Sequence, residues 1–335
     1  MKFNKILTNR NYQHWPSWHI IHEWEDEISS SMNIPLYEMP RKDNVLRKYV
    51  RKIDAKFFKD KLEKKFYKLW PLNKRKALYF EINTGKFKGF FNKLNTVPII
   101  IDFWNKPQIE KTKIKYSDCP ILLITSLEVL DFFKKNNFQN KLVHFPMTLP
   151  SIHELKVNDK LEKKYDIIIA GRKNPVLFKY LEKYENEHPD IEYIYQVDRG
   201  GQLYYESNKQ GFIGNFHSRE DYMNLIKMSK VGFYSTPGID GGESRTHNFN
   251  PVTPRFFELL SGGCHVIARY PKNKETEYYN LDSISAFVDS FSSFKTTLTK
   301  FLNSPPPISN NAEYLKNHYT SNNLKILKNL ECVKL

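Results

Sequence analysis

Asn250-Pro251-Val252-Thr253-Pro254-Arg255-Phe256-Phe257-Glu258 carries, in nine residues, groups that can hold an anion and a neighbouring diol. Thr253 suits a helix N-cap, since its hydroxyl can accept from an orphan amide of the first turn. Pro254 suits the first helical position, where a missing N–H costs nothing. A loop feeding such a helix gathers unpaired amides at the positive end of the helix dipole, which favours a bound anion. Arg255 in the first turn opposes that dipole, and a bound diphosphate would remove the conflict. Glu258 lies one turn further in, where a carboxylate can grip two adjacent hydroxyls such as a ribose diol. The same spacing also suits a capped helix with a solvated acid.

A second group follows an apolar run. Tyr165-Asp166-Ile167-Ile168-Ile169-Ala170 reads as a buried strand that runs directly into Gly171-Arg172-Lys173, and this sets two cations at a strand's carboxyl end. A third lies in the Gly-rich loop Thr236 to Asn250, where Arg245 is a further candidate phosphate clamp. A loop of this length inside a compact domain is usually functional.

The elements that must position these groups read as alternating strands and helices. Strand-like runs fall near residues 5–8, 77–82, 97–103, 121–126 and 142–145, then near 165–170, 191–195, 211–215, 231–235 and 264–268. Helical spacing covers 18–28, 127–136, 175–187 and 218–229, and Ser218 with Asp221 resembles a capping box. Gly262-Gly263 stops the short helix that starts at Pro254. Continuous apolar strands of this kind suit parallel sheets covered on both faces. The expected architecture is α/β, with two Rossmann-like domains at 1–155 and 160–310 and C-terminal helices over 311–335.

The 335 residues are 40% hydrophobic and 15% aromatic, enough for a large core. No run is long and apolar enough for a membrane span, and the first ten residues lack the apolar core of a signal peptide. Cys119, Cys264 and Cys332 are far apart and form no metal or redox motif. A cytoplasmic protein is expected. The net charge of +15 favours polyanions, phosphorylated ligands or an anionic membrane surface. Its densest run is Lys42 to Lys76, with an amphipathic, basic-faced helix expected there. His19 and His22 have ligand-like spacing but no third partner in view. Basic charge with many Tyr and Phe also suits nucleic-acid binding, but the aromatics sit in apolar runs and no RRM or zinc-finger signature is present. Gly-x-Gly-x-x-Gly is absent, which argues against a Rossmann dehydrogenase.

Taken in order, several parts resemble the GT-B-fold glycosyltransferases of the broad family-4 or "group 1" type. They are Gly171-Arg172-Lys173 after its strand, the Gly214-Asn215-Phe216 turn with Ser218, the strand Val231 to Ser235, Asn250 to Gly263, and Asn317-His318-Tyr319-Thr320 with the helix behind it. The likeness covers the second half well and the first half only by rhythm. It implies two Rossmann-like domains facing a cleft, with a C-terminal helix crossing back to the first. It implies a nucleotide-sugar co-substrate held by the second domain and a saccharide or lipid-linked acceptor held by the first. By resemblance Glu258 is the ribose-binding acid, Arg172 and Lys173 meet the diphosphate, and the backbone at Pro251, Val252 and Thr253 faces sugar and phosphate. Asn250 departs from the pattern, because many members carry an acid there against the donor sugar. The implied setting is surface polysaccharide or glycolipid assembly, peripheral on the inner face of a membrane. A nucleotide-sugar epimerase of the same fold is the alternative.

Transfer of a sugar builds charge on the departing phosphate, which fixed cations and amides stabilise. Even a modest enzyme must lower its barrier by about 8 kcal/mol, and a charged hydrogen bond contributes about 1.5–3 kcal/mol. No Asp-x-Asp pair at a strand end offers a metal bridge, so metal-independent chemistry without a cofactor is expected. An inverting reaction needs a base from the first domain, for which His14, Glu81, Asp102 and His144 are candidates. A retaining one can use the leaving phosphate.

Overall fold

The structure, a computed structural model, describes residues 2–38, 49, 52–53, 56–57, 75–82, 96–104, 106–117, 119–200, 202–215 and 218–332. Most of the basic run from Lys42 to Lys76, and Phe216 and His217, lie outside the described residues. Contacts divide the chain into two compact units: Met1–Pro146 with Thr320–Leu335, and Met147–Tyr319.

The first unit holds six strands, β1 (Lys2–Thr8), β2 (Leu36–Glu38), β3 (Arg75–Ile82), β4 (Thr96–Ile101), β5 (Ile121–Ile124) and β6 (Lys141–His144). They form one sheet in the order β2-β1-β3-β4-β5-β6, and every pairing is parallel. Every residue of β4 and of β5 is buried, as a parallel sheet covered on both faces requires. Its described helices are α1 (His19–Met32), α2 (Ile109–Tyr116) and α3 (Leu127–Lys135). In α1, Ile21, Trp24 and Ile28 share the buried face. The terminal helix α10 (Thr320–Cys332) packs on α1, and its Glu331 accepts from the Phe3 N–H at 2.8 Å.

The second unit contains β7 (Tyr165–Ile169), α4 (Pro175–Glu187), β8 (Tyr193–Arg199), β9 (Gln202–Ser207), β10 (Gly211–Gly214), α5 (Arg219–Lys227), β11 (Ser229–Ser235), α6 (Pro254–Ser261), β12 (His265–Arg269), α7 (Lys274–Tyr278), β13 (Ala286–Phe287), α8 (Phe291–Leu302) and α9 (Ile308–Leu315). Its sheet runs β10-β9-β8-β7-β11-β12-β13. The central pairings are parallel, and β8-β9-β10 is an antiparallel extension. The chain leaves β7 towards β8, then returns to β11 on the other side of β7. The order therefore reverses between β7 and β11, and a crevice outside the carboxyl ends of two such strands is where open α/β sheets take ligands. Ile167, Ile169, Val231 and Phe233 pack against Leu177 and Leu181 of α4 and Phe294 and Leu298 of α8. Strand β9 was not expected: its sequence, QLYYES, lacks an apolar run because it belongs to the half-solvated antiparallel extension of the sheet.

Lys163 ties the back of this unit together. Its ammonium donates to the carbonyls of Lys227, Ser229 and Gly262 at 2.9, 2.8 and 2.6 Å, gathering the carboxyl ends of α5 and α6. Burial lowers its pKa from the ordinary lysine value.

His318, ahead of α10, is packed among the rings of Phe257, Tyr279 and Tyr314, at centroid distances of 5.4, 5.7 and 4.4 Å. Burial pushes its pKa down to about 4. The unfolded chain takes up this proton near pH 6.5, so the His318 contribution is complete above that pH and lost as pH falls towards 4. His318→Gln should therefore flatten the fall in stability over that window. Chemical denaturation of both proteins at pH 7.5, 5.5 and 4.5 measures it, and parallel pH curves would contradict it.

Candidate functional site

Between the carboxyl ends of β7 and β11 lies a crevice with about 290 Å³ of open space, lined by Arg172, Lys173, Asn174, Tyr234, Ser235 and Arg255 among others. Most of that space is open to solvent, and the enclosed part has room for about one water molecule. Each cation reaches it from a different constraint.

Arg255 reaches it because residue 171 is glycine. A Cβ on Gly171 would stand 2.2 Å from the Arg255 Nη2 and 2.6 Å from its Cζ, and Gly171 has φ +84°. The guanidinium thus lies directly over the backbone at the end of β7. Burial works against its charge, but Tyr222, Glu258 and Tyr205 outweigh that and hold its pKa above the ordinary value. Its Nε is buried and makes no hydrogen bond.

Lys173 holds its ammonium 4.3 Å from the Phe178 ring centroid and 3.8 Å from that of Tyr195, and burial lowers its pKa. Asn174 caps α4, accepting from the amides of Val176 and Leu177 at 3.0 Å each. Its amide donates to Asp240 at 2.9 Å. Asp240 in turn receives Arg269 Nε at 2.6 Å and Nη2 at 2.8 Å. The Gly-rich loop is thereby pinned to both α4 and the end of β12.

Arg172 and Arg245 meet on one carboxylate. Glu243 receives Arg172 Nη2 at 3.1 Å, and Arg245 Nε and Nη2 at 2.8 and 2.7 Å. Hydrogen bonds from Arg245 are the chief reason its pKa is held down at about 2; burial opposes, and the Arg172 charge adds to the effect.

Glu258 is 5% exposed. One oxygen stands 2.7 Å from Arg219 Nη2, and the other accepts from the Tyr222 hydroxyl at 2.8 Å. Burial, then the Glu258 charge, raises the Tyr222 pKa far above its ordinary value, so the phenol stays a donor. Here the acid expected at a ribose bonds to Arg219 and Tyr222 of α5, and it supplies counter-charge beside Arg255.

Residues 250–253 also differ from expectation. Asn250 closes the base of the long loop, accepting from Thr236 Oγ1 at 2.8 Å and donating to the Asn248 carbonyl at 3.0 Å. Pro251 has no N–H. The Val252 N–H is directed at Glu275 Oε1, 3.4 Å away, and the Thr253 N–H donates to the Tyr234 hydroxyl at 3.1 Å. Thr253 does occupy the N-cap of α6 with Pro254 behind it, but its hydroxyl makes no cap bond. Both of these amides, expected to face sugar and phosphate, are engaged by side chains of the unit itself.

In the first unit the four base candidates lie along the carboxyl edge of the sheet. His14 is exposed in the loop after β1. Glu81, near the end of β3, is buried and accepts from the Lys115 ammonium and from the Tyr116 hydroxyl at 2.6 Å. Asp102 follows β4 in a left-handed conformation, φ 48°. His144 ends β6, and burial lowers its pKa to about 4. Strands β1, β3 and β4 are adjacent and β5 separates β4 from β6, so Glu81 and His144 stand three strand spacings apart, about 14 Å. Topology therefore does not gather these four into one cluster.

Sequence reasoning missed Glu25, a buried acid in α1. It accepts from Thr8 Oγ1 at 2.7 Å and Arg10 Nε at 3.1 Å. Burial raises its pKa to about 7, against the opposing effects of Thr8 and Arg10. Arg219, Tyr222, Glu243 and Asp240 were also missed. Only Asp240 and Glu243, as acids within a Gly-rich loop beside Arg245, left a signal in the sequence. Among the described residues no cluster of three or more His, Cys, Asp or Glu has metal-site geometry, and no helix is long and apolar enough to cross a membrane.

No known protein family matches the sequence, and no curated protein does. Solved structures show a distant likeness. The pneumococcal O-GlcNAc transferase GtfA, in complex with UDP and GlcNAc, aligns at 12% identity with a TM-score of 0.46, over 76% of this chain and 56% of its own. Sucrose-phosphate synthase from Thermosynechococcus elongatus aligns at 10% identity with a TM-score of 0.47, over 79% and 70%. A putative UDP-N-acetylglucosamine 2-epimerase from Listeria monocytogenes does so at 10% and 0.47, over 100% and 98%. The chain thus spans little more than half of the first of these.

Gly171→Ala is expected to lose stability by about 1–3 kcal/mol from the left-handed backbone alone, and to force the Arg255 guanidinium aside. Gly200→Ala is the control, since φ there is +64° but nothing lies within 4 Å of the added carbon. Urea unfolding of both variants should show the larger loss at 171. Equal losses would mean that Arg255 yields without cost.

Proposed function

We propose that the protein is a glycosyltransferase whose second unit holds a nucleotide-sugar donor, with the diphosphate in the crevice at the ends of β7 and β11. The observation that carries this reading is the convergence of Arg172, Lys173 and Arg255 on that crevice, at the place where the strand order reverses. The chemistry follows from the cations. As the bond from sugar to phosphate lengthens, negative charge gathers on the departing nucleoside diphosphate. Positive groups fixed there before reaction favour the transition state over the ground state. Lys173 is held between two rings and Arg255 by the Gly171 backbone, so neither has to reorganise as the charge develops.

These side chains supply positive charge without a bridging metal, and metal-independent transfer is part of the proposal. The acceptor is a saccharide or a lipid-linked saccharide, in keeping with a net charge of +15 and with surface polysaccharide or glycolipid assembly on the inner face of a membrane. If transfer inverts the anomeric carbon, the base comes from His14, Glu81, Asp102 or His144. If it retains configuration, the leaving phosphate serves.

A thermal-shift screen against UDP, GDP, dTDP, ADP and their sugars should raise the melting temperature with one nucleotide class. Lys173→Met should weaken that nucleotide about tenfold, the worth of one charged hydrogen bond at the low end of its range. Transfer should persist in excess EDTA. No shift with any nucleoside diphosphate would defeat the reading. Conversion of the donor without acceptor, to an epimer, would replace transfer with epimerisation.

A further inference from the structure

Arg172 and Arg245 belong to different segments, 71 and 2 residues from Glu243, yet both bind its carboxylate. The Glu243 side chain is 13% exposed, against 41% for Arg172 and 66% for Arg245. An acid is thus sandwiched beneath two guanidinium groups whose outer faces meet solvent, and Arg172 also lines the crevice. Arg245 presents a two-pronged fork to the carboxylate, the same geometry with which guanidinium grips phosphate oxygens. Glu243 and Arg245 sit on a loop with left-handed backbone at Asp240, His247 and Asn248. Asp240 and Asn250 anchor that loop.

We infer that Arg172 and Arg245 form a phosphate subsite continuous with the crevice, and that the Glu243 carboxylate occupies it until a phosphate of the ligand displaces it. The inference rests on the nucleotide-sugar reading and adds an internal competitor to it. Its physical basis is that two guanidinium groups this close repel each other unless an anion lies between them. The side chain at 243 keeps them aligned while the site is empty. A phosphate group brings more charge and more acceptor oxygens than a carboxylate, so it can take over both arginines once bound. Glu243 then leaves the pair, and its charge is taken up by solvent. In such an exchange the carboxylate costs affinity, and in return it selects for ligands carrying a phosphate strong enough to displace it. A ligand with a single weak anion gains little there.

The test is calorimetric titration of wild type, Glu243→Gln and Glu243→Ala with inorganic pyrophosphate, with UDP and with uridine, at one ionic strength. GDP, dTDP or ADP with its nucleoside replaces the last pair if the thermal-shift screen selects it. Melting curves confirm that the variants are folded. Both variants should bind pyrophosphate and the nucleoside diphosphate about two- to fivefold more tightly than wild type, the range set by partly exposed charge pairs. Binding of the nucleoside, which has no phosphate, should not change. If wild type binds the nucleoside diphosphate and both variants bind it equally or more weakly, Glu243 only positions the arginines; the inference is then overturned and the donor reading stands. If neither wild type nor the variants bind pyrophosphate or any of the four nucleoside diphosphates, both fall together.

Discussion

A buried guanidinium is tolerated only where counter-charge and hydrogen bonds meet it, and the second unit is arranged to satisfy that condition at one end of its sheet. Arg255 lies over the Gly171 backbone with the Glu258, Tyr222 and Tyr205 side chains around it. Glu258 also faces Arg219. Glu243 takes Arg172 and Arg245, and Asp240 takes Arg269. Each acid thus offsets the charge of a cation near the ends of β7, β11 and β12.

This arrangement recasts the acidic residues. A carboxylate one turn into α6 reads as a ligand-gripping group when only the helix is considered. In the folded unit its two oxygens meet Arg219 and Tyr222 of α5. The amides of Val252 and Thr253 follow the same logic, as both turn inward to buried acceptors. What faces the crevice is therefore side-chain cation more than backbone dipole.

Much of the scaffold was legible in the sequence for a simple reason: strands buried on both faces must be apolar along their whole length. Ile121–Ile124 and Tyr165–Ile169 announce themselves this way. Helix α4 is legible from its Asn174 cap and its proline, and α6 from Thr253 and Pro254. The antiparallel strand β9 and the region of α7, β13 and α8 lacked such runs and went unread. The cations Arg172, Lys173 and Arg255 were legible because strand ends and helix starts are local features, fixed by their own neighbours in the chain.

What the sequence by itself determined is therefore the set of charged residues offered at strand ends and helix starts, and the two α/β units that present them. Only the tertiary structure decided which acid neutralises which cation. Those choices join residues as far apart as Arg172 and Glu243, 71 positions. They depend on the sheet order that sets β11 beside β7 and on the missing side chain at Gly171. Pairing of charges is a short-range interaction in space, and short-range patterns in the chain carry no record of it.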